Sequence, residues 1–247
     1  MIPKKIVYIW FGKGEKSELI QRCILTNHDV LNGWDFVEYT EENYDVSSCK
    51  YIVEAYRKKK YAFASDFARF DILYKYGGVY VDTDVEFIKC IPDYFLNGKG
   101  FTGIEANNKI APGLVFACEP GNLIVKEIIE SYKNDSFILL NGKMNTKTVV
   151  DRVSEIFAKY GFKNDGTEQV IEGFHIYPCE CFCAYDFVTG EFEVTDRTFS
   201  IHHYTATWLP FHKKMKKACK KMIRDIISIE NYKKLVQVKR KFFGIHS

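Results

Sequence analysis

The chain has 247 residues, 47% of them hydrophobic and 27% charged, with a formal net charge of +3; this composition excludes disordered, collagen-like and low-complexity classes. No apolar run approaches the ~20 residues that a membrane-spanning helix needs. The small net charge hides an asymmetry: residues 209–247 carry 12 Lys/Arg against 2 acidic residues, a surplus of +10, while the other 208 residues carry 23 against 30, a balance of −7.

Residues 5–10 form a short apolar run, expected to be a buried strand closed by Gly12 and Gly14. The run is too short for a signal-peptide core and no small-residue cleavage site follows, so a cytoplasmic location is the default expectation. A helix is expected over 17–31, with Ser17 as its N-cap and Leu19, Ile20, Cys23, Ile24, Leu25 and Leu31 on its apolar side. The aromatic stretch 34–39 predicts a second strand, and 49–60 a helix whose Arg57-Lys58-Lys59-Lys60 end suits the C-terminal dipole. Phe63, Phe67, Phe70 and Tyr74 recur at helical spacing up to the Gly77-Gly78 stop signal. Residues 79–88 have β-branched and aromatic strand composition.

Short strands are expected near 100–105 and 113–118, helices over 121–133 and 146–160, and a mixed strand region over 170–203. Strands alternating with helices predict an α/β fold with a mostly parallel central sheet. No repeat or Pro/Ser/Gly linker divides the chain, so the expected organisation is a catalytic domain over 1–210 and a basic amphipathic helical tail over 211–247. Among eight cysteines, Cys179, Cys181 and Cys183 would share one face of a strand. There they are either ligands of a soft metal or small buried hydrophobes, and the lack of a paired Cys-x-x-Cys favours the second reading.

Asp82 and Asp84 follow the apolar residues 79–81, and on an extended chain their carboxylates share a face with Cα atoms about 6.5 Å apart. Ligands of open α/β sheets bind beyond the carboxyl ends of the strands. Two carboxylates there suit a hard divalent cation that also takes diphosphate oxygens. A calcium loop is excluded by its sixth position, which requires glycine and holds Phe87. Asp66 and Arg69 share a face of the preceding apolar helix. They form either a local ion pair or a fork for sugar hydroxyls and phosphate oxygens.

Three blocks, Ile6-Val7-Tyr8-Ile9-Trp10-Phe11-Gly12, Ala64-Ser65-Asp66-Phe67-Ala68-Arg69 and Tyr76-Gly77-Gly78-Val79-Tyr80-Val81-Asp82-Thr83-Asp84, together resemble the family 32 glycosyltransferases. These DXD-containing sugar transferases are related to capsular-polysaccharide transferases, fungal initiating mannosyltransferases and the catalytic domains of glucosylating toxins. The resemblance is dense over 3–90, thin from about 105 to 195, and resumes at Ile201-His202-His203-Tyr204-Thr205-Ala206-Thr207-Trp208, with Thr207 where serine is usual. It implies a GT-A fold, a nucleotide-sugar donor, Mn2+ or Mg2+, and retention of anomeric configuration.

Carried over by position, the resemblance puts Trp10 near the nucleobase, Asp66 and Arg69 on the donor sugar, Asp82 on ribose and sugar, and Asp84 on the metal. His202 would complete the metal shell or touch the diphosphate. It is preferred to His203 because it directly follows the small apolar residue of the pattern, and adjacent strand residues point opposite ways. Thr207 and Trp208 would bind or cover the donor. By residue type alone, Trp10 could equally cap the core at a strand end, and the histidines could be structural.

The expected activity is therefore metal-dependent hexosyl transfer, most readily from a UDP-sugar, to a saccharide or lipid-linked saccharide in surface (capsular) polysaccharide synthesis. Two alternatives stand beside it: a glycoside hydrolase using the acidic pair, and a catalytically silent sugar-binding or membrane-associated module. In the tail, Met215, Ala218, Met222 and Ile226 form one helical stripe among lysines. That pattern suits peripheral attachment to an anionic membrane surface at the inner face, or packing on the catalytic body. Nucleic acid is not an expected partner, because aromatic stacking platforms are lacking.

Overall fold

The computed structural model describes residues 1–185 and 192–205. The strands are Lys5–Ile9 (β1), Asp35–Tyr39 (β2), Gly78–Tyr80 (β3), Val85–Phe87 (β4), Gly100–Gly103 (β5), Phe116–Cys118 (β6), Gln169–Ile171 (β7), Phe174–Tyr177 (β8) and Ser200–His202 (β9). The helices are Glu18–Val30 (α1), Lys50–Arg57 (α2), Tyr61–Tyr76 (α3), Leu123–Lys133 (α4), Val149–Lys159 (α5) and the single turn Cys179–Phe182 (α6).

Seven strands form one sheet in the order β2-β1-β3-β6-β5-β8-β7, and β4 pairs with β9 in a separate two-stranded sheet. Five of the seven run in one direction, with β6 and β7 reversed. The α/β class and the mostly parallel sheet are as the sequence predicts.

Both faces of the central strands are covered, and β3, β5 and β6 are correspondingly buried at every position, while the edge strands β2 and β7 are partly exposed. Successive residues alternate between two cores. Val7, Ile9 and Tyr80 pack with Tyr51, Phe67, Phe70, Tyr132 and Phe157 of the helices α2 to α5. Ile6, Val79 and Val81 pack with Phe87, Phe101 and Phe182 on the opposite face. The expected caps are in place: Ser17 Oγ accepts from Ile20 N, and Gly77 ends α3 at φ 63°. A side chain at Gly78 (φ 117°) would put Cβ 2.9 Å from Lys5 O, so this glycine is what lets the chain swing directly from helix into the sheet beside β1.

Two expectations are corrected. Residues 79–88 are not one strand: β3 closes at Tyr80, the Val81 N–H adds one more bond to Val7 O, and the chain then turns with Val85 N–H donating to Asp82 O at 3.1 Å. β4 leaves the main sheet to pair with β9, so Asp82 and Asp84 lie in a turn and not on a strand face. Likewise Cys179, Cys181 and Cys183 do not share a strand face. They lie on and just after α6, where residues four apart are neighbours. The Cys183 thiol lies 3.2 Å from the Tyr204 hydroxyl, while Cys181 is buried separately in the core. All the described cysteines are free thiols. The boundary at 210, the tail 211–247, Thr207 and Trp208 lie outside the described residues.

Candidate active site

The site is built where α3, the turn after β3 and the β4/β9 pair meet. The middle of α3 is buried almost all round, so Asp66, Arg69 and Asp71 face other polar groups rather than water. Arg69, 4% exposed, lies with Nη2 2.6 Å from Asp66 Oδ1 and Nη1 3.3 Å from Asp82 Oδ1. Its Nε donates to Ser65 O at 3.2 Å, and its guanidinium carbon sits 4.4 Å over the Tyr80 ring. Tyr80 OH donates to the same Asp82 Oδ1 at 2.8 Å. Arg69 Nη1 is buried without an aligned hydrogen-bond acceptor, so it keeps an N–H to offer to a ligand.

Asp82 is positioned from both sides. Its N–H donates to Gly113 O at 2.9 Å. A Cβ on Gly113 would fall 2.4 Å from Asp82 Oδ2, so only glycine leaves room for the carboxylate there. Burial raises Asp66 to about 6 against the pull of Arg69, with Asp82 adding to the rise.

Asp84 is nearly buried, at 7% exposure. Its Oδ1 lies 3.1 Å from His202 Nε2, and its Oδ2 accepts from Thr205 N at 2.8 Å and Thr205 Oγ1 at 2.7 Å. Burial opposes its charge, yet the His202 and Thr205 bonds outweigh burial and hold it well below the usual carboxylate range. For His202 burial likewise disfavours the charged form, and Asp84 overrides it, raising the imidazole. The register Val85↔His202 brings this histidine to the turn across more than a hundred residues of sequence.

Ligand atoms of Asp82, Asp84 and His202 lie within 4.8 Å of one another. Two carboxylates and one imidazole fit Mn2+ or Mg2+ as a donor set. Asp84 accepts three hydrogen bonds, one fewer than its roughly four lone-pair sites, so it retains capacity for a cation.

The structure therefore gathers Asp66, Arg69 and Asp82 in one network and Asp84 with His202 in an adjoining one. His203 points away and bonds Glu86 at 2.7 Å, in keeping with the opposite facing of adjacent strand residues. Trp10 stands apart from both networks, with Nε1 donating to Gly14 O at 2.6 Å and Lys16 Nζ 5.6 Å from its ring centroid. A shallow cleft beside the turn is lined instead by Tyr8, Ile24, Asn27, Phe36, Asp82 and Thr83.

Sequence reasoning missed Tyr80, Gly113 and Asn27, and it quoted Thr205 without giving it a role. Tyr80 had a signal, since the sequence pattern set it two residues before Asp82 on what read as one extended strand. Asn27 had another, as a polar residue on the buried side of α1: its side chain donates to Val85 O at 2.9 Å and accepts from Phe87 N at 2.7 Å. Gly113 and Thr205 carried no local signal.

Residues 14–105 match the model of the glycosyltransferase sugar-binding region containing the DXD motif. That stretch contains Asp66, Arg69, Asp82 and Asp84. The chain is 28% identical over 230 residues, covering 86% of each, to an uncharacterized glycosyltransferase of Acanthamoeba polyphaga mimivirus. It is similar to two solved structures. One is PaToxG glycosyltransferase, with 15% identity, TM-score 0.47, and coverage of 64% of this chain and 68% of that one. The other is a glycosyltransferase involved in glycosylation of the major capsid of PBCV-1, with 14% identity, TM-score 0.45, and coverage of 81% and 94%. The chain is a glycosyltransferase.

Proposed function

We propose that the enzyme moves a hexose from a UDP-sugar to a saccharide or lipid-linked saccharide of a surface polysaccharide, retaining the anomeric configuration. Asp84, Asp82 and His202 would hold Mn2+ or Mg2+. The observation that carries this reading is the convergence of those three ligands beside a buried arginine with an N–H to spare.

A cation bound there supplies Lewis-acid charge for the leaving diphosphate. The chain's own residues do the rest. Arg69, already fixed by Asp66 and Asp82, offers Nη1 to a phosphate or sugar oxygen without reorganising during the reaction. Asp66 accepts a hydroxyl of the donor sugar. The bond from the anomeric carbon to the phosphate oxygen breaks, its electron pair leaving with the diphosphate. The acceptor hydroxyl bonds to the same face of the carbon, and its proton passes to the departing phosphate oxygen. In this reading Thr207 and Trp208 complete the cover that excludes water.

Hydrolysis by the acidic pair requires one carboxyl kept protonated as general acid. Asp84 is held in the opposite state, so the hydrolase alternative has no acid at this position.

A thermal-shift screen of nucleotide sugars with and without Mn2+ tests the proposal. A ligand specific to the native state raises its melting temperature, so one nucleotide sugar should raise Tm only when Mn2+ is present. No Mn2+-dependent shift from any nucleotide sugar would refute it.

A further inference from the structure

A second set of ligand side chains lies on the other side of the β4/β9 pair. Cys23 of α1, Glu86 of β4 and His203, directly after β9, bring a thiol sulfur, a carboxylate oxygen and an imidazole nitrogen within 4.8 Å of one another. None of the three belongs to the site described above. We propose that this cluster is a zinc site that staples α1, β4 and the segment after β9 together.

The donor set selects the metal. The thiolate sulfur is what separates this cluster from the other: zinc accepts sulfur, nitrogen and oxygen together, whereas the hard cations magnesium and calcium are not held by thiolates. Zinc bonds of about 2.0–2.3 Å in a tetrahedron place ligand atoms about 3.3–3.8 Å apart, so only small side-chain movements are required. The closest approach, His203 Nε2 to Glu86 Oε2 at 2.7 Å, is a hydrogen bond that opens when both atoms turn to the ion. The thiol proton goes to the buffer on coordination.

Burial gives the site a closed back and an open front. Cys23 is fully buried, while the Glu86 and His203 side chains are 18% and 15% exposed. The fourth position falls to water, and Thr26, whose Oγ1 donates to Glu86 Oε1 at 3.4 Å, steadies the carboxylate. Arg22 Nη2 competes for Glu86 at 3.7 Å, but that side chain is 60% exposed and can leave for solvent. Such surface pairs contribute little.

The consequence reaches the active site. β9 has three residues and its sheet only two strands, an arrangement marginal by itself in water. The Val85↔His202 register depends on that pairing. An ion tying Glu86 to His203 and both to α1 would hold the strand that presents His202 to Asp84.

Cobalt tests this, because a thiolate ligand adds a sulfur-to-metal charge-transfer band in the near ultraviolet. The full chain, stripped of metal and held in excess Mg2+ to occupy the carboxylate site, is titrated with Co2+. Zinc retained after desalting is then counted by elemental analysis. The expected result is one equivalent of zinc retained after desalting, and the charge-transfer band on titration with cobalt. Both should be lost in Cys23→Ser and in His203→Gln, and both kept in Asp84→Asn. Absence of the band in the unaltered chain overturns the proposal whether or not any variant folds, and so does its persistence in Cys23→Ser. Either failure leaves the transferase reading standing, because Asp84 lies in the other cluster.

Discussion

Arg69→Lys keeps the buried positive charge and removes the planar fork. In the unaltered chain the guanidinium bonds Asp66 at 2.6 Å and the Ser65 carbonyl at 3.2 Å, reaches Asp82 at 3.3 Å, and lies 4.4 Å over Tyr80. A lysine ammonium is a point charge and cannot span Asp66, Asp82 and Ser65 at once. Losing one charge-assisted bond costs about 1.5–3 kcal/mol, and loosening the ring contact up to about 1 kcal/mol more. The expected destabilisation is therefore about 1.5–4 kcal/mol, at or under the lower part of the 3–5 kcal/mol range for deleting one partner of a buried pair outright. Turnover should fall further than stability alone explains, by about 10²–10³, the usual loss when one preorganised donor to developing charge is removed. Urea unfolding reads the first effect. Donor turnover at a temperature where both proteins are folded reads the second. A lysine variant within twofold of wild type in turnover would show that the fork does not organise the site.

Gly113→Ala should fold, yet it drives a methyl against Asp82 Oδ2; donor turnover should drop at least tenfold, with far-ultraviolet circular dichroism unchanged. Asp66 binds its proton more tightly in the fold, at about 6 against an ordinary 3.8. Its contribution to stability is therefore present below pH 4 and lost as pH rises through 6. Relative to wild type, Asp66→Asn should gain up to about 3 kcal/mol between pH 4 and 7, and a pH-independent difference in unfolding free energy would contradict this. Asn27→Leu leaves Val85 O and Phe87 N without their buried partner; urea unfolding should show a loss of about 2–4 kcal/mol.

Much of this architecture was legible locally. Ser17 announced the start of α1 and Gly77-Gly78 the end of α3, because caps are satisfied by adjacent residues. The charged residues of α3 were conspicuous because everything around them was apolar. The break after Tyr80 was not legible: Val81 and Val85 bury in the same core on either side of the turn, so the apolar pattern resumes after Asp82-Thr83-Asp84 as if one strand continued. The cysteine spacing misled for a different reason. A period of two is ambiguous over five residues, and Pro178, at the N-cap of α6, was the stronger cue. Contacts such as Thr205 on Asp84 and Gly113 under Asp82 depend on pairing between distant segments, which no local pattern encodes.

Isothermal calorimetry of UDP binding with Mn2+ to wild type and to Asp84→Asn tests the central claim most directly. Asparagine keeps the shape and can still accept from Thr205, so it removes the charge while sparing the scaffold. Wild type should bind UDP only with Mn2+, and the variant, shown to be folded at the assay temperature by circular dichroism, should lose that Mn2+-dependent binding. Equal Mn2+-dependent binding by the two proteins would contradict the account.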